Sequence, residues 1–466
     1  MRISKKFPQI ISYISLYILL CSLVFLGCGG GKEYSESDGQ AVEAVNCSEC
    51  HITDIQDTHY QSSILNIYDE DDPDLEVGIA GYMLESELSW APEGMGYVLR
   101  TSTNACAASC HDYHDGNIAI NNKWYMSGHA DKESEAFAHE FTRGACLLCH
   151  SGMGYASYVD SSNTSYPGWT APTDELYSHI ITCNACHDGQ GYPSSENKRL
   201  RKTGSLTLTS GSGTTYVEDA TLDVGDSAAC FVCHQGRESG ASVYKTIVGY
   251  GFDPYDGTDS TMTNKRAVTP HYASAGAMLF SLKGYEFPGK TYSNGIIYHQ
   301  IALCTGCHMA DSSDPELGGH TFNVSHDTKM NIEVCQICHS GLSDFETFRL
   351  YERDMDGDGT YETIKDEIEG LKTLLINQLA TVSIYYNPDE HPYFFADAAY
   401  SDNTPNWTES QFEAAFNLAF VDKEHGAYVH NFKYAAQLLW DSCEILGVTG
   451  LGTRPDDTSA TDYTTF

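Results

Sequence analysis

The sequence predicts a mainly α and irregular chain with a small β-hairpin insertion and a C-terminal helical region, its interior filled by something other than a large aliphatic core. Three observations predict this. The hydrophobic share of the 466 residues is 41%, a little low for a large globular protein, while Gly (41) and Tyr (31) are abundant. Fourteen of the 17 cysteines fall into seven close pairs that begin at positions 47, 106, 146, 183, 230, 304 and 335, too near one another for each interval to hold a conventional core. After the last pair the character changes, with Leu371, Leu374, Leu375 and Leu379 on one face at helical spacing.

Each pair is closed by a histidine. In chain order they read CSECH (Cys47, Cys50, His51), CAASCH (Cys106, Cys110, His111), CLLCH (Cys146, Cys149, His150) and CNACH (Cys183, Cys186, His187). CFVCH (Cys230, Cys233, His234), CTGCH (Cys304, Cys307, His308) and CQICH (Cys335, Cys338, His339) follow. Two thiols at this spacing add to the two vinyl groups of one haem edge, and the next imidazole swings beneath the ring to bind iron. C-x-x-C-H therefore reads as c-type haem attachment. Zinc sites also pair cysteines but do not require a histidine after every second one. Disulfides would leave the seven histidines unexplained. The expected cofactor is haem c, seven copies, and the fold is then a haem-cored one. In CAASCH the spacer is one residue longer, and a local disulfide beside an ordinary His is the rival there. Of the other three cysteines, Cys21 and Cys28 lie near the N-terminus, and Cys443 reads as a buried free thiol.

Twelve further histidines are available for the far side of each iron, which favours bis-His, low-spin haems with potentials below those of Met/His cytochromes. The candidates are His59, His129, His139, His179, His271, His299 and His320. They lie close to an attachment motif or in short contexts of small and polar residues. His326 and His430 rank below them, and His114, His391 and His425 read as non-ligands.

The organisation follows. Residues 1–27 read as an export signal, with Arg2, Lys5 and Lys6 before an apolar run from Ile10 to Leu26. FLGCGGG resembles a bacterial lipoprotein signal cleaved before a lipidated Cys28; an uncleaved signal anchor is the alternative. Residues 28–46 form a flexible tether, 47–345 a heptahaem region and 346–466 a C-terminal helical region. SLTLTS and TTYVEDATLDVG within 191–228 predict the hairpin, and residues 240–300 look mainly irregular. DMDGDG offers Asp354, Asp356 and Asp358 as the start of a calcium loop. Lys365 stands where a bidentate Glu is expected, so Glu362, Asp366 or Glu367 would substitute. Helices are predicted near 361–381, 409–422 and 429–446, with Tyr434, Leu438 and Ile445 packing on the middle one.

The segment CTGCHMADSSDPELGGHTFNVSHDTKMNIEVCQICH resembles the late haem motifs of the cytochrome c nitrite reductase superfamily, and EHGAYVHNFKYAAQLLWDSCEIL resembles its C-terminal helices. There His430 matches a histidine that can serve as a distal ligand. Enzymes of that type usually bind their catalytic haem through C-x-x-C-K, and this sequence has no such motif, so the resemblance implies haem packing rather than nitrite reduction. The whole chain resembles the exported lipoprotein multihaem cytochromes of metal-reducing bacteria. That implies electron transfer in extracytoplasmic or extracellular respiration, at the periplasmic or cell-surface face of the outer membrane, with redox proteins or external acceptors as partners. The alternative is a reductase of a small nitrogen or sulfur oxyanion at one five-coordinate haem. A net charge of −38 excludes nucleic acid as a partner and mildly opposes anionic substrates.

Overall fold

A computed structural model describes residues 118–131, 134–137, 146–161, 180–187, 200–211, 217–349 and 353–455. All of these but 118 and 119 lie in one compact unit, Ile120–Gly191 with Asn197–Phe466. The first two cysteine pairs, their histidines, and His59, His114, His139 and His179 lie outside the described residues, as do the signal and tether.

Short helices dominate the first half of the unit. They are α1 (Ile118–Tyr125), α2 (Leu147–His150), α3 (Gly152–Asp160) and α4 (Cys183–Cys186). Ser151 caps α3 by accepting from the Gly154 amide at 3.0 Å. α3 folds back so tightly on α2 that a Cβ on Gly154 would lie 2.1 Å from the Leu147 carbonyl oxygen. The hairpin is β1 (Ser205–Ser210) paired antiparallel with β2 (Val217–Asp223), with a bulge between Leu208 and Thr209. Alternation in β1 buries Leu206 and Leu208 against Phe231 and Val232.

Next come α5 (Ala228–Phe231), α6 (Gly240–Gly249), α7 (Ala275–Leu279), α8 (Ile297–His308) and α9 (Glu333–Gln336). α6 departs from the irregular reading of 240–300. Ser239 and Ser242 form a reciprocal capping box, and Val243 and Ile247 bury one face, a start signal written in serines rather than Ser and Glu. Leu303 interrupts α8 with φ 57° and ψ −168°, which separates the CTGCH turn from the helix before it.

The C-terminal part holds α10 (Ile364–Thr381), α11 (Glu409–Asp422), α12 (Ala427–His430) and α13 (Phe432–Ile445). Thr363, Thr408 and Asn431 cap α10, α11 and α13 by accepting from Asp366, Gln411 and Tyr434 amides. α11 is buried on every side from Phe412 to Val421, which makes it the central helix. α10 lays Ile364, Ile368, Leu371, Leu375 and Leu379 into the same core, and α13 adds Tyr434, Leu438 and Leu439. Ile445, the last residue of α13, is half exposed, and the inward position passes to Cys443, a free and fully buried thiol. This core also takes in Val243, Ile247, Met278 and Tyr285, so it spans both sides of residue 346. Among the described residues no helix is long and apolar enough to cross a membrane.

Candidate haem centres

Each regular motif in view makes one helical turn. The amides of His150, His187, His234 and His339 donate to the carbonyls of Cys146, Cys183, Cys230 and Cys335 at 3.1, 2.8, 2.9 and 2.8 Å. That turn sets both thiols and the imidazole on one side of the backbone, as attachment to a single macrocycle requires. No described cysteine is in a disulfide.

Opposite each of the five described motif histidines stands a second imidazole. His150 faces His271 at 6.0 Å between ring centroids, His187 faces His320 at 6.3 Å, and His234 faces His129 at 6.1 Å. His308 faces His430 at 6.2 Å, and His339 faces His299 at 6.3 Å. An imidazole nitrogen bonds a metal at about 2.0–2.1 Å, so two such bonds in line put the centroids roughly 6 Å apart. Ordinary edge-to-face contacts range over about 4.5–7 Å. Here five pairs fall between 6.0 and 6.3 Å, and each joins one motif histidine to one outside any motif. The donor set and spacing fit a six-coordinate iron.

The pairing does not follow the chain. His129 precedes the third motif and faces the fifth, His271 follows the fifth and faces the third, and His299 stands beside the sixth and faces the seventh. His430, ranked low from sequence, faces His308 from the end of α12; only its matching position in the C-terminal resemblance pointed to it. His326 is exposed in a two-residue ladder, His391 packs on Tyr393, and His425 is exposed.

The electrostatics suit ligation, since iron takes the neutral imidazole. Burial, then the neighbouring His234, lowers His129 to about 4, and burial followed by His150 does the same for His271. Burial is also the first cause lowering His150, His234, His299, His308 and His339. Four of the second ring nitrogens are held: Nδ1 of His150, His299 and His308 donates to the carbonyls of Ala136, Val429 and Phe322 at 2.7, 2.9 and 2.8 Å. Nδ1 of His430 bonds the buried Glu424 carboxylate at 2.9 Å. His271 differs from these four, because its Nδ1 accepts from the Tyr272 amide at 2.8 Å. Ligation through Nε2 needs a proton on Nδ1, so that contact has to open.

Four of the five pairs, all but His187 with His320, line one continuous cavity of about 2790 Å³. Ile297, Tyr298 and Ile337 on its wall are 60, 70 and 81% exposed, apolar surface of the kind a macrocycle would cover. Neighbouring motifs touch. Cys230 shares a hydrogen bond with Cys304, and Cys149 with Cys233. Cys186 lies within the electrostatic reach of Cys230, and Cys335 of Cys307. Haem edges held there would be neighbours.

The chain resembles known proteins of one kind. Over 362 residues it is 23% identical to the C-type polyheme cytochrome OmcB of Geobacter sulfurreducens, covering 66% of this chain and 44% of the relative. To OmcC of the same species it is 24% identical over 364 residues, with 66% and 43% covered. The chain is a multihaem c-type cytochrome. The match spans less than half the length of these curated relatives. No family model matches. Among solved structures, the outer cell wall cytochrome OcwA aligns over 70% of this chain and 49% of its own at 19% identity, with a TM-score of 0.35, too low to establish a common topology.

The cytochrome's acidic loop lies apart from these centres. Asp354, Asp356 and Glu367 bring carboxylate oxygens within 4.8 Å of one another, as do Asp356, Asp358 and Glu362. Glu367 is buried, and its oxygens accept from the amides of Met355 at 2.7 Å and Glu362 at 3.2 Å. Burial first, then adjacent carboxylates, raises the Asp356 and Glu362 carboxyls.

Proposed function

We propose that this cytochrome conducts electrons along a line of seven bis-His, low-spin haems c. The observation that carries the reading is the set of five imidazole pairs, each spaced for an iron with both axial positions filled. Filled axial positions leave a small substrate nowhere to bind, while fast electron exchange needs only haem edges close together. The closeness of the thiols supports such a path: those of the third and sixth motifs bond to those of the fifth, the fourth motif stands near the fifth and the seventh near the sixth, so haems held there would be neighbours. The haem at each centre supplies the reversible one-electron couple; the chain supplies two imidazoles, a fixed order and a low-dielectric wall.

In this reading residues 1–27 direct export and Cys28 carries a lipid that holds the chain at the outer membrane. The tether 28–46 lets the haem region reach redox proteins or external acceptors. The strongly acidic surface favours basic protein partners or cationic species. Calcium held by Asp354, Asp356 and Asp358 braces the C-terminal helices.

Iron quantification with EPR of the purified, oxidised protein tests the reading. Seven irons, all low-spin, are expected. A high-spin signal from one iron in seven would overturn it and favour a reductase, with nitrite, hydroxylamine and tetrathionate as first substrates to screen.

A further inference from the structure

We infer that Glu424 holds the haem between His308 and His430 at a lower reduction potential than a neutral partner would, acting through the Nδ1 proton of His430. This rests on the bis-His reading of that pair.

Glu424 follows the end of α11 and is buried. Its Oε1 accepts from His430 Nδ1 at 2.9 Å and from the Gly426 amide at 3.2 Å. The chain makes room for this contact. A Cβ on Gly426 would lie 2.6 Å from His430 Cε1 and 2.8 Å from Nδ1, so only glycine lets the backbone pass under the ring. Across the iron, His308 donates to the neutral Phe322 carbonyl, and His150 and His299 likewise donate to carbonyls.

The chemistry differs in kind between those partners. A carboxylate pulls the Nδ1 proton further than a carbonyl does, which makes the imidazole a stronger donor through Nε2. A stronger donor, and a fixed negative charge at low dielectric, both favour Fe(III) over Fe(II). Reduction of this haem therefore needs a lower potential. Glu424 is a positioning residue; it touches the ligand and not the iron.

The test is a redox titration of the intact holoprotein, followed by haem absorbance, with EPR of the oxidised form. In Glu424→Gln all haems should stay low-spin and equal in number. One component should move upward, its Fe(II)/Fe(III) ratio at fixed applied potential rising about tenfold, which for one electron is about 59 mV. Glu424→Asp keeps the charge on a shorter arm and should move the same component by less. Superimposable titrations, or equal shifts in both variants, overturn the inference; if the Gln variant fails to fold, Glu424→Ala takes its place, and an unmoved titration in it does the same. His430→Gly separates this from the ligation reading. A new high-spin haem with a silent Glu424→Gln removes the tuning role and keeps the ligand. An unchanged low-spin spectrum removes His430 as a ligand and the inference with it.

Discussion

The two halves of the described unit solve the same burial problem with different materials. From 364 to 443 the chain completes its own core: Leu371, Leu375, Leu379, Phe412, Phe416 and Leu438 are each at most 1% exposed. Around the last two motifs Ile297, Tyr298 and Ile337 stay 60–81% exposed along the cavity. The hydrophobic effect is non-directional, so apolar surface is satisfied by side chains or equally by a porphyrin face. In the proposed reading, the apolar residues left exposed around those motifs are the ones a haem would cover.

The largest effect that would break this comparison is removal of one attachment site. Cys304→Ala with Cys307→Ala should lower the iron count by one per chain and open α8 to proteolysis, whereas Cys443→Ser should leave iron unchanged; equal iron loss in both would erase the distinction. Next, Leu371→Ala should destabilise by about 2–5 kcal/mol, the usual range for a fully buried leucine, measured by denaturant unfolding. Its haem spectrum should match wild type below the transition. A spectrum that changes with Leu371→Ala would mean that the helical core sets haem geometry directly.

Glu413 sharpens the contrast through pH. Burial first, opposed by the nearby Tyr285 hydroxyl and reinforced by Glu409 and Asp259, pushes its carboxyl up to about 8, against 4.5 ordinarily. Between those values the folded protein holds a proton that the unfolded chain has lost. Stability is therefore full below about pH 4.5 and falls as pH rises toward about 8. Glu413→Gln should raise Tm more at pH 8 than at pH 5; a gain independent of pH would refute the linkage. The smallest expected effect is calcium at the acidic loop. Chelation should lower Tm by a few degrees, and Asp354→Asn should abolish that response. A Tm indifferent to both chelator and added calcium would leave Asp354, Asp356 and Asp358 as a hydrogen-bonded turn.

Much of this was legible in sequence because its signals are local. A C-x-x-C-H turn needs five consecutive residues, the hairpin needs alternation over two short runs, and α10 needs leucines at positions 371, 375 and 379. α6 escaped notice because its capping signal is a pair of serines in a Gly- and Tyr-rich stretch. His430 ranked low because nothing near it in sequence marks a haem; its partner His308 lies 122 positions earlier and meets it only in the fold.

By itself, then, the sequence determined the chemistry of attachment, since two thioethers and one axial imidazole are fixed within a single turn of chain. It also determined where a side-chain core could form, since periodicity is a local property. Which histidine faces which motif histidine, and that a buried carboxylate stands behind His430, were decided by tertiary structure alone. A second axial ligand approaches from the opposite face of the macrocycle, so it comes from whatever segment packing delivers there, and no sequence spacing constrains that distance.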